Sequence, residues 1–204
     1  MVYVVLDGPD GGGKSTQAAL LAANLQRAGR EVLHLREPGS TPVGEALRAL
    51  LLDPRTGDLQ PLTEALLFTA ARAELVERVI APALRRGAVV VSERCFCSTF
   101  VYQGLALDQG LDFAWLWEIT RKAHGNVLPD AVFVLDVPVE LAVQRRQQRQ
   151  ADRFEARDHG FLRRVRSAYL ELAHRMPFVQ IVDAGLDVSV VQQDLQQRVA
   201  LLRR

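Results

Sequence analysis

Short apolar runs alternate along this chain with longer segments whose apolar positions recur every three to four residues. Five runs are rich in β-branched residues and bounded by polar or turn residues: 2–6, 32–35, 88–91, 131–135 and 178–182. Short, mainly apolar runs of this length predict parallel strands that are buried on both faces. Strands alternating with helices predict a doubly wound α/β sheet, with ligands at the carboxyl ends of the strands.

Apolar spacing and end signals predict the helices. Apolar residues at helical spacing from Ala18 to Leu25 indicate a first helix, which Gly29 ends. Thr41-Pro42 starts a second helix and Asp53-Pro54 stops it. Further helices are predicted over 61–86 with a bend at Pro82, and over about 112–124, 139–148, 160–175 and 188–202.

Composition narrows the class of protein. The 204 residues are 49% hydrophobic, which suits one α/β domain over 1–204. No apolar stretch approaches the roughly 20 residues that span a bilayer, and a net charge of +1 argues against bulk attachment to nucleic acid. Cys95 and Cys97 are too close for an ordinary disulfide, so we interpret them as free thiols. We expect a cytoplasmic protein that binds small anions, not membranes or nucleic acid polymers.

The segment between the first strand and the first helix carries the clearest chemistry. From Gly8 to Ser15 it has the sequence Gly-Pro-Asp-Gly-Gly-Gly-Lys-Ser, a P-loop whose backbone N–H groups converge on phosphate oxygens. Lys14 would reach the outer phosphates, and the Ser15 hydroxyl would hold Mg²⁺. We predict that this chain binds a nucleoside triphosphate through Gly8, Gly11, Gly12, Gly13, Lys14, Ser15 and Thr16.

Two further features indicate a second substrate. Asp10 places a carboxylate inside an anion-binding loop, so it should point away from the phosphates. There it could accept a hydrogen bond from a sugar hydroxyl, help arrange Mg²⁺ and water, or only brace the turn. Arg36, Glu37 and Pro38 follow the second strand at its carboxyl end, where a ligand site is expected.

From that segment onward the chain resembles the thymidylate kinases. The resemblance rests on the acidic residue within the phosphate loop, on Arg36-Glu37-Pro38-Gly39, and on Leu67–Arg72, which is similar to the family's base-binding helix. It implies a P-loop NTPase fold of three layers, with a five-stranded parallel sheet flanked by helices and a short lid over about 145–158. It also implies phosphorylation of dTMP to dTDP with ATP and Mg²⁺ by a homodimer.

The same resemblance implies roles for acceptor-site residues. Phe68 would stack on thymine and Arg72 would hydrogen-bond to it, because residues i and i+4 share a helix face. Arg94 would contact phosphate, and Glu93 would serve the metal with Ser15 and Asp10. Glu93 is one methylene longer than the family's usual aspartate. The other expected acceptor contacts are Arg36, Glu37, Pro38, Ser98, Thr99, Tyr102 and Gln103, with Thr99 at the base and Tyr102 against the sugar's 2′ position.

On the ATP side, the resemblance implies a lid arginine and an adenine loop. Arg153 is the first choice for the lid arginine and Arg149 the second, while Asp183 and Ala184 match the loop beside adenine. We expect Lys14, Arg94 and Arg153 to neutralise charge during transfer.

One segment departs from the family pattern. Gly104–Asp108 lacks the family's usual Gly-x-Arg-Gly run, and Glu93 replaces an aspartate. These departures leave two alternatives open, a kinase for another nucleoside monophosphate and a nucleotide-binding protein that has lost phosphotransfer.

Overall fold

The computed structural model describes residues 1–146 and 159–202. This part of the chain contains five strands: β1 (Val2–Asp7), β2 (Val32–Arg36), β3 (Val89–Glu93), β4 (Ala131–Asp136) and β5 (Val179–Asp183). Neighbouring strands are parallel, and their order across the sheet is β2-β3-β1-β4-β5. The predicted five-stranded parallel sheet is confirmed.

Each strand ends one or two residues later than predicted, and each ends on a charged residue. Apolar runs alone set the predicted bounds, so the charged residues were left out of them. Because the carboxyl ends of parallel strands meet at one edge of a sheet, the charges gather there. The strand-ending residues are Asp7, Arg36, Glu93, Asp136 and Asp183.

The same part of the chain contains nine α-helices. They are α1 (Lys14–Arg27), α2 (Pro42–Leu52), α3 (Pro61–Leu75), α4 (Ala81–Arg85), α5 (Phe96–Phe100), α6 (Phe113–His124), α7 (Val139–Arg146), α8 (His159–Arg175) and α9 (Val188–Leu201). A short 3₁₀ turn (Pro54–Thr56) follows α2, and π-helical segments follow α3 (Val76–Ile80) and α5 (Val101–Leu105). None of the described helices is both long and apolar enough to cross a bilayer.

The predicted helix over 61–86 differs from the observed one in its interior. A π-helical turn over Val76–Ile80 separates α3 from α4, and Ala81 N–H donates to Val76 C=O in the wider register. Pro82 has no N–H to offer the carbonyl four residues earlier, so the hydrogen-bond register changes just ahead of it. Where the sequence predicts a bend at Pro82, the structure has a π-helical turn that ends two residues before it.

The sequence pattern missed the helix α5 and its π-helical continuation. Nearly every side chain from Phe96 to Gly104 is buried. A helix that is buried on all sides has no exposed polar face, so its 3.6-residue period is not visible in the sequence. This helix starts three residues after β3 and lies beside the charged edge of the sheet.

Apolar side chains cover both faces of the sheet. Val5 and Val90 belong to a cluster with side chains of α3, α4, α5, α6 and α8. Val4 and Val91 belong to a second cluster with side chains of α1, α7 and α9. Because alternate residues of each strand point to opposite faces, the sheet forms the middle of three layers.

Candidate functional site

The loop between β1 and α1 is packed against the end of β4. Gly8, Gly11 and Gly13 have φ values of 126°, 87° and 86°, which other residues rarely adopt. A Cβ on Gly8 would lie 2.8 Å from the Leu135 carbonyl oxygen, and one on Gly11 would collide with the backbone of Ala142. The glycines therefore allow both the backbone path and its close approach to β4 and α7.

The Lys14 ammonium folds back over this loop. Its Nζ donates to the carbonyl oxygens of Gly8 at 3.0 Å and Pro9 at 2.9 Å, and it lies 3.2 Å from Asp10 Oδ1. Burial lowers the pKa of Lys14, and so does the charge of Arg94, whereas Asp10 and Asp7 oppose the shift. Lys14 is thus a compact positive charge at the mouth of the P-loop.

Asp10 faces residues of the predicted acceptor side. Its carboxylate is paired with Arg94 and Lys14, and Tyr102 Oη lies 3.5 Å from Oδ2. Burial raises the pKa of Asp10, but Arg94 and Lys14 outweigh it and hold that pKa below its usual range. Asp10 therefore stays ionised between the two cations.

Arg94 follows β3 in a strained conformation. Its φ of 69° lies in the left-handed region, which costs a non-glycine residue about 1–3 kcal/mol. Two hydrogen bonds of 2.9 Å hold this conformation, from Arg94 N–H to the Leu6 carbonyl and from Ser92 Oγ to the Arg94 carbonyl. The guanidinium donates to Ser98 Oγ at 2.8 Å. This backbone conformation directs the Arg94 guanidinium towards Asp10 of the P-loop.

A buried carboxylate that the sequence analysis missed lies beneath Arg94. Asp7 accepts hydrogen bonds from Gly8 N–H at 2.8 Å and from Ser98 Oγ and Tyr169 Oη at 2.7 Å each. Arg94 Nη1 lies 3.4 Å from Asp7 Oδ1. Asp7 could have been predicted as a site residue, because it is the charged residue that ends the first apolar run. Nothing in the sequence distinguishes Tyr169 from a core residue of α8.

A single cleft opens in front of these groups. Its empty space is about 900 Å³, part of it open to solvent. Every predicted acceptor residue except Arg72 lines it, together with three residues of the predicted ATP and metal sites. The lining consists of Asp10, Lys14, Ser15, Arg36, Glu37, Pro38, Arg48, Leu52, Phe68, Glu93, Arg94, Ser98, Thr99, Tyr102 and Gln103.

Arg72 lies behind the wall of this cleft. Its Nε donates to Glu37 Oε2 at 2.7 Å and its Nη2 to Thr99 Oγ1 at 3.3 Å. The Arg72 and Glu37 side chains are 3% and 4% exposed. Within the described residues, Arg72 Nη1 and Glu37 Oε1 have no hydrogen-bond partner. These contacts therefore fix the Arg72 guanidinium beside Glu37 and Thr99 of the cleft wall, and its Nη1 group makes no hydrogen bond to the described residues.

Arg48 on α2 is a cleft residue that no motif indicated. Its Nη1 donates to the Pro38 carbonyl at 2.9 Å. The neighbouring Arg36 pairs with Glu45 at 3.0 Å, and both side chains are about half exposed. Three arginines, including Arg94, thus surround the polar part of the cleft.

Ser15 and Glu93 meet at the start of α1. Ser15 Oγ donates to Glu93 Oε2 at 2.5 Å, and His34 Nε2 lies 3.0 Å from Oε1. Burial raises the pKa of Glu93, but the hydrogen bonds from His34 and Ser15 lower it overall. A hydroxyl and a carboxylate are hard oxygen donors of the kind that Mg²⁺ prefers. Among the described residues, no group of three or more His, Cys, Asp or Glu side chains could hold a metal alone.

The predicted adenine loop follows β5. The Ala184 carbonyl accepts from Arg145 Nη1 at 3.0 Å, and Ala184 N–H donates to the Asp136 carbonyl at 2.8 Å. Asp183 Oδ1 accepts from Gly185 N–H at 2.9 Å. This loop therefore lies next to the end of β4, against which the P-loop also packs.

Three more residues were predicted to bind ATP: Arg149, Arg153 and Thr16. Arg149 and Arg153, in the predicted lid, lie outside the described residues. Thr16 is exposed in the first turn of α1.

Comparisons with known proteins agree with this architecture. The sequence profile of the family described as thymidylate kinase matches residues 6–195. The thymidylate kinase of Thermomicrobium roseum is 47% identical over 192 residues, which are 93% of this chain and 90% of that protein. The thymidylate kinase of Deinococcus radiodurans is 40% identical over 97% of this chain and 94% of that protein. A crystal structure of thymidylate kinase from Ehrlichia chaffeensis matches with a TM-score of 0.79 and 28% identity, covering 98% of both chains.

Proposed function

This chain belongs to the thymidylate kinase family, and we propose that its cleft holds dTMP while the P-loop holds ATP. The enzyme phosphorylates dTMP to dTDP with ATP as the phosphate donor. The observation that carries the site assignment is the continuity of the cleft. Phe68 and Thr99 line the same cavity as Lys14 and Ser15, so a nucleotide bound there has its phosphate next to the P-loop.

In the transfer step, a phosphate oxygen of dTMP attacks the γ-phosphorus of ATP in line. A new P–O bond forms, the bond from the γ-phosphorus to the β–γ bridging oxygen breaks, and ADP leaves with that oxygen. The attacking oxygen is already anionic, so no histidine is needed as a base. Catalysis then rests on positioning and on neutralising charge.

Lys14 and Arg94 supply that charge within the described residues. The Lys14 ammonium lies at the P-loop, where it is suited to the outer phosphates of ATP. Arg94 lies between the loop and Ser98, where it is suited to the acceptor phosphate or the transferring group. Asp10 pairs with both cations and so bridges them. Arg153, with Arg149 as second choice, adds a third positive charge from the lid.

Specificity for thymine is assigned to the far end of the cleft. Phe68 offers an aromatic face for stacking, and Arg72, held by Glu37 and Thr99, offers a charged donor behind the wall. Tyr102 and Gln103 line the side on which the sugar would lie. The remaining donor of Arg72 is suited to a base carbonyl that reaches the wall.

Mg²⁺ is the metal that we assign to the start of α1. The Ser15 hydroxyl can donate to Glu93 while its lone pair faces the cation, and Glu93 can serve the cation directly or through water. When bound there, Mg²⁺ would neutralise the charge that develops on the donor phosphates during transfer. Asp10, the third residue assigned to this ion, is paired with Arg94 and Lys14 and would act on it through water. Two direct protein ligands suit an ion that keeps several waters and is also held by phosphates.

A homodimer is the assembly that we propose. Val43 and Leu50 on α2 and Leu62 and Leu66 on α3 are 45–49% exposed, although all four are large and apolar. The spacing within each pair places its members on one face of their helix. Exposed apolar side chains on neighbouring helices are typical of an interaction surface. Replacement of Leu66 by Lys should shift the protein from dimer to monomer in light scattering.

Transfer of label from [γ-³²P]ATP to dTMP tests the reaction. We expect labelled dTDP from the wild type, and a loss of about 10²–10³-fold in turnover for Lys14→Met, the range seen when one stabilising donor is removed. Lys122→Met is the matched control, because Lys122 is the only other lysine and is exposed on α6. Wild-type protein that binds ATP but leaves dTMP unlabelled would overturn the assignment.

A further inference from the structure

Side chains from two other elements hold both oxygens of the Glu93 carboxylate. Oε2 accepts from Ser15 Oγ at 2.5 Å, and Oε1 lies 3.0 Å from His34 Nε2. Ser15 lies in the first turn of α1, directly after the P-loop, whereas His34 belongs to the edge strand β2. Glu93 is thus connected on one side to the nucleotide loop and on the other to the rigid sheet.

The register of the sheet explains why His34 reaches Glu93. In the parallel pairing of β2 with β3, His34 lies opposite Val91, and Arg36 lies opposite Glu93. Residues two apart point to the same face of a sheet, so His34 and Glu93 share the face that α1 covers. A side chain as long as glutamate can extend back over one pleat towards His34.

Because its side chain is longer than that of aspartate, Glu93 needs a contact that fixes the position of its carboxylate. A glutamate carboxylate has one more rotatable bond than an aspartate carboxylate, so it occupies more positions unless something fixes it. Ligands near a metal are usually oriented by hydrogen bonds from groups that do not touch the metal. A displacement of about 1 Å at a reacting centre can cost on the order of 10²-fold in rate.

Other cations near Glu93 have their own partners. Arg36 pairs with Glu45 at 3.0 Å, and Lys14 pairs with Asp10 at 3.2 Å. The contact on Oε1 that the structure shows is the one from His34. The imidazole is 31% exposed and Glu93 is 18% exposed, so this contact borders the open cleft.

We propose that His34 is a positioning residue for phosphoryl transfer. It donates from Nε2 to Glu93 Oε1 and thereby fixes the rotamer that presents Oε2 to Ser15 and to the divalent cation of the nucleotide. His34 touches neither substrate and acts through Glu93. This inference rests on the proposed magnesium site at Ser15 and Glu93.

The first test measures cation binding without any acceptor. Electron paramagnetic resonance of Mn²⁺ titrated into the protein–ADP complex gives the cation affinity of wild type, His34→Ala and His34→Gln. We expect His34→Ala to weaken Mn²⁺ binding by about 10-fold, within the range for loss of a supporting hydrogen bond. His34→Gln should recover most of it, because its amide can donate from a similar position. His174→Ala, which removes an exposed histidine of α8, should leave the affinity unchanged.

Steady-state kinetics and a double substitution complete the test. His34→Ala should lower kcat by about 10-fold and change the KM for dTMP by less than about twofold, since the acceptor pocket is untouched. In a Glu93→Asp background the shorter carboxylate no longer reaches His34, so His34→Ala should add nothing. Thermal unfolding of each variant shows whether it is folded.

Two results would overturn the inference. One is an unchanged Mn²⁺ affinity in a folded His34→Ala protein. The other is an equal loss from His34→Ala in the wild-type and Glu93→Asp backgrounds, which would mean that His34 acts independently of Glu93. The Mn²⁺ measurement needs no dTMP, so failure of the protein to phosphorylate dTMP would contradict the proposed function and leave the inference standing.

Discussion

Replacing Glu37 with Gln removes the negative partner of a buried guanidinium. Arg72 and Glu37 are joined by a hydrogen bond of 2.7 Å, and their side chains are 3% and 4% exposed. The substitution keeps the size and most of the shape of the side chain. Arg72, however, keeps its charge in a site that water cannot reach.

The cost follows from that burial. Removing one partner of a buried ion pair typically destabilises a protein by about 3–5 kcal/mol, because the remaining charge is uncompensated. In a domain of this size, about 1 kcal/mol lowers the melting temperature by about 2–4 °C, so the expected drop is about 6–20 °C. We also expect weaker dTMP binding, since Glu37 holds Arg72 beside Thr99.

Urea unfolding and differential scanning calorimetry measure the loss of stability. Glu171→Gln is the matched control, since it breaks an ion pair with Arg175 in which both side chains are nearly half exposed. Exposed pairs contribute about 0–1 kcal/mol, so this control should unfold close to the wild type. If Glu37→Gln costs no more than Glu171→Gln, the argument that the buried pair fixes Arg72 is wrong.

Other predictions concern buried groups near the site. Burial, reinforced by the charge of Arg72, lowers the pKa of His124 to about 4, so the unfolded state takes up a proton first. The free energy of unfolding should then fall as pH falls from about 6.5 to 4, by up to about 1.4 kcal/mol per pH unit. His124→Asn should make the free energy of unfolding, measured with urea, less dependent on pH in this window. Burial also raises the pKa of Cys95 and Cys97, so both thiols should resist a thiol reagent until urea unfolds the protein, and rapid modification of the native protein would contradict this. Tyr169→Phe removes a 2.7 Å hydrogen bond to buried Asp7 and should cost about 1–3 kcal/mol in urea unfolding; an unchanged midpoint would show that Asp7 does not need this donor.

Short apolar runs were sufficient to predict the sheet, and the 3.6-residue spacing of apolar residues was sufficient for most helices. The spacing failed for Phe96–Leu105, where burial on all sides removes the polar face. The apolar runs also stopped each strand before its terminal charge, and so missed Asp7 as a site residue. The failures lie at the edge of the sheet where the cleft opens.

The site was predictable where chemistry fixes residue type and spacing. The P-loop needs glycines, a lysine and a hydroxyl in a set order, and the structure places them at the end of β1. Tyr169 and His34 carry no such pattern, since their contacts join residues far apart in the chain. Arg48 likewise reaches the cleft only because α2 packs beside the Pro38 turn.

Competition between acceptors tests the central claim most directly. The measurement is kcat/KM for ADP formation with dTMP, dUMP, dCMP, dGMP and UMP at saturating ATP. A thymidylate kinase whose cleft reads thymine at Phe68 and Arg72 should prefer dTMP by at least about 10-fold over each of the others, the lower end of what one methyl group or hydrogen bond gives. A higher kcat/KM for another monophosphate would contradict the account of the acceptor cleft, and ATP binding without turnover on any of the five would contradict the assignment of phosphotransfer itself.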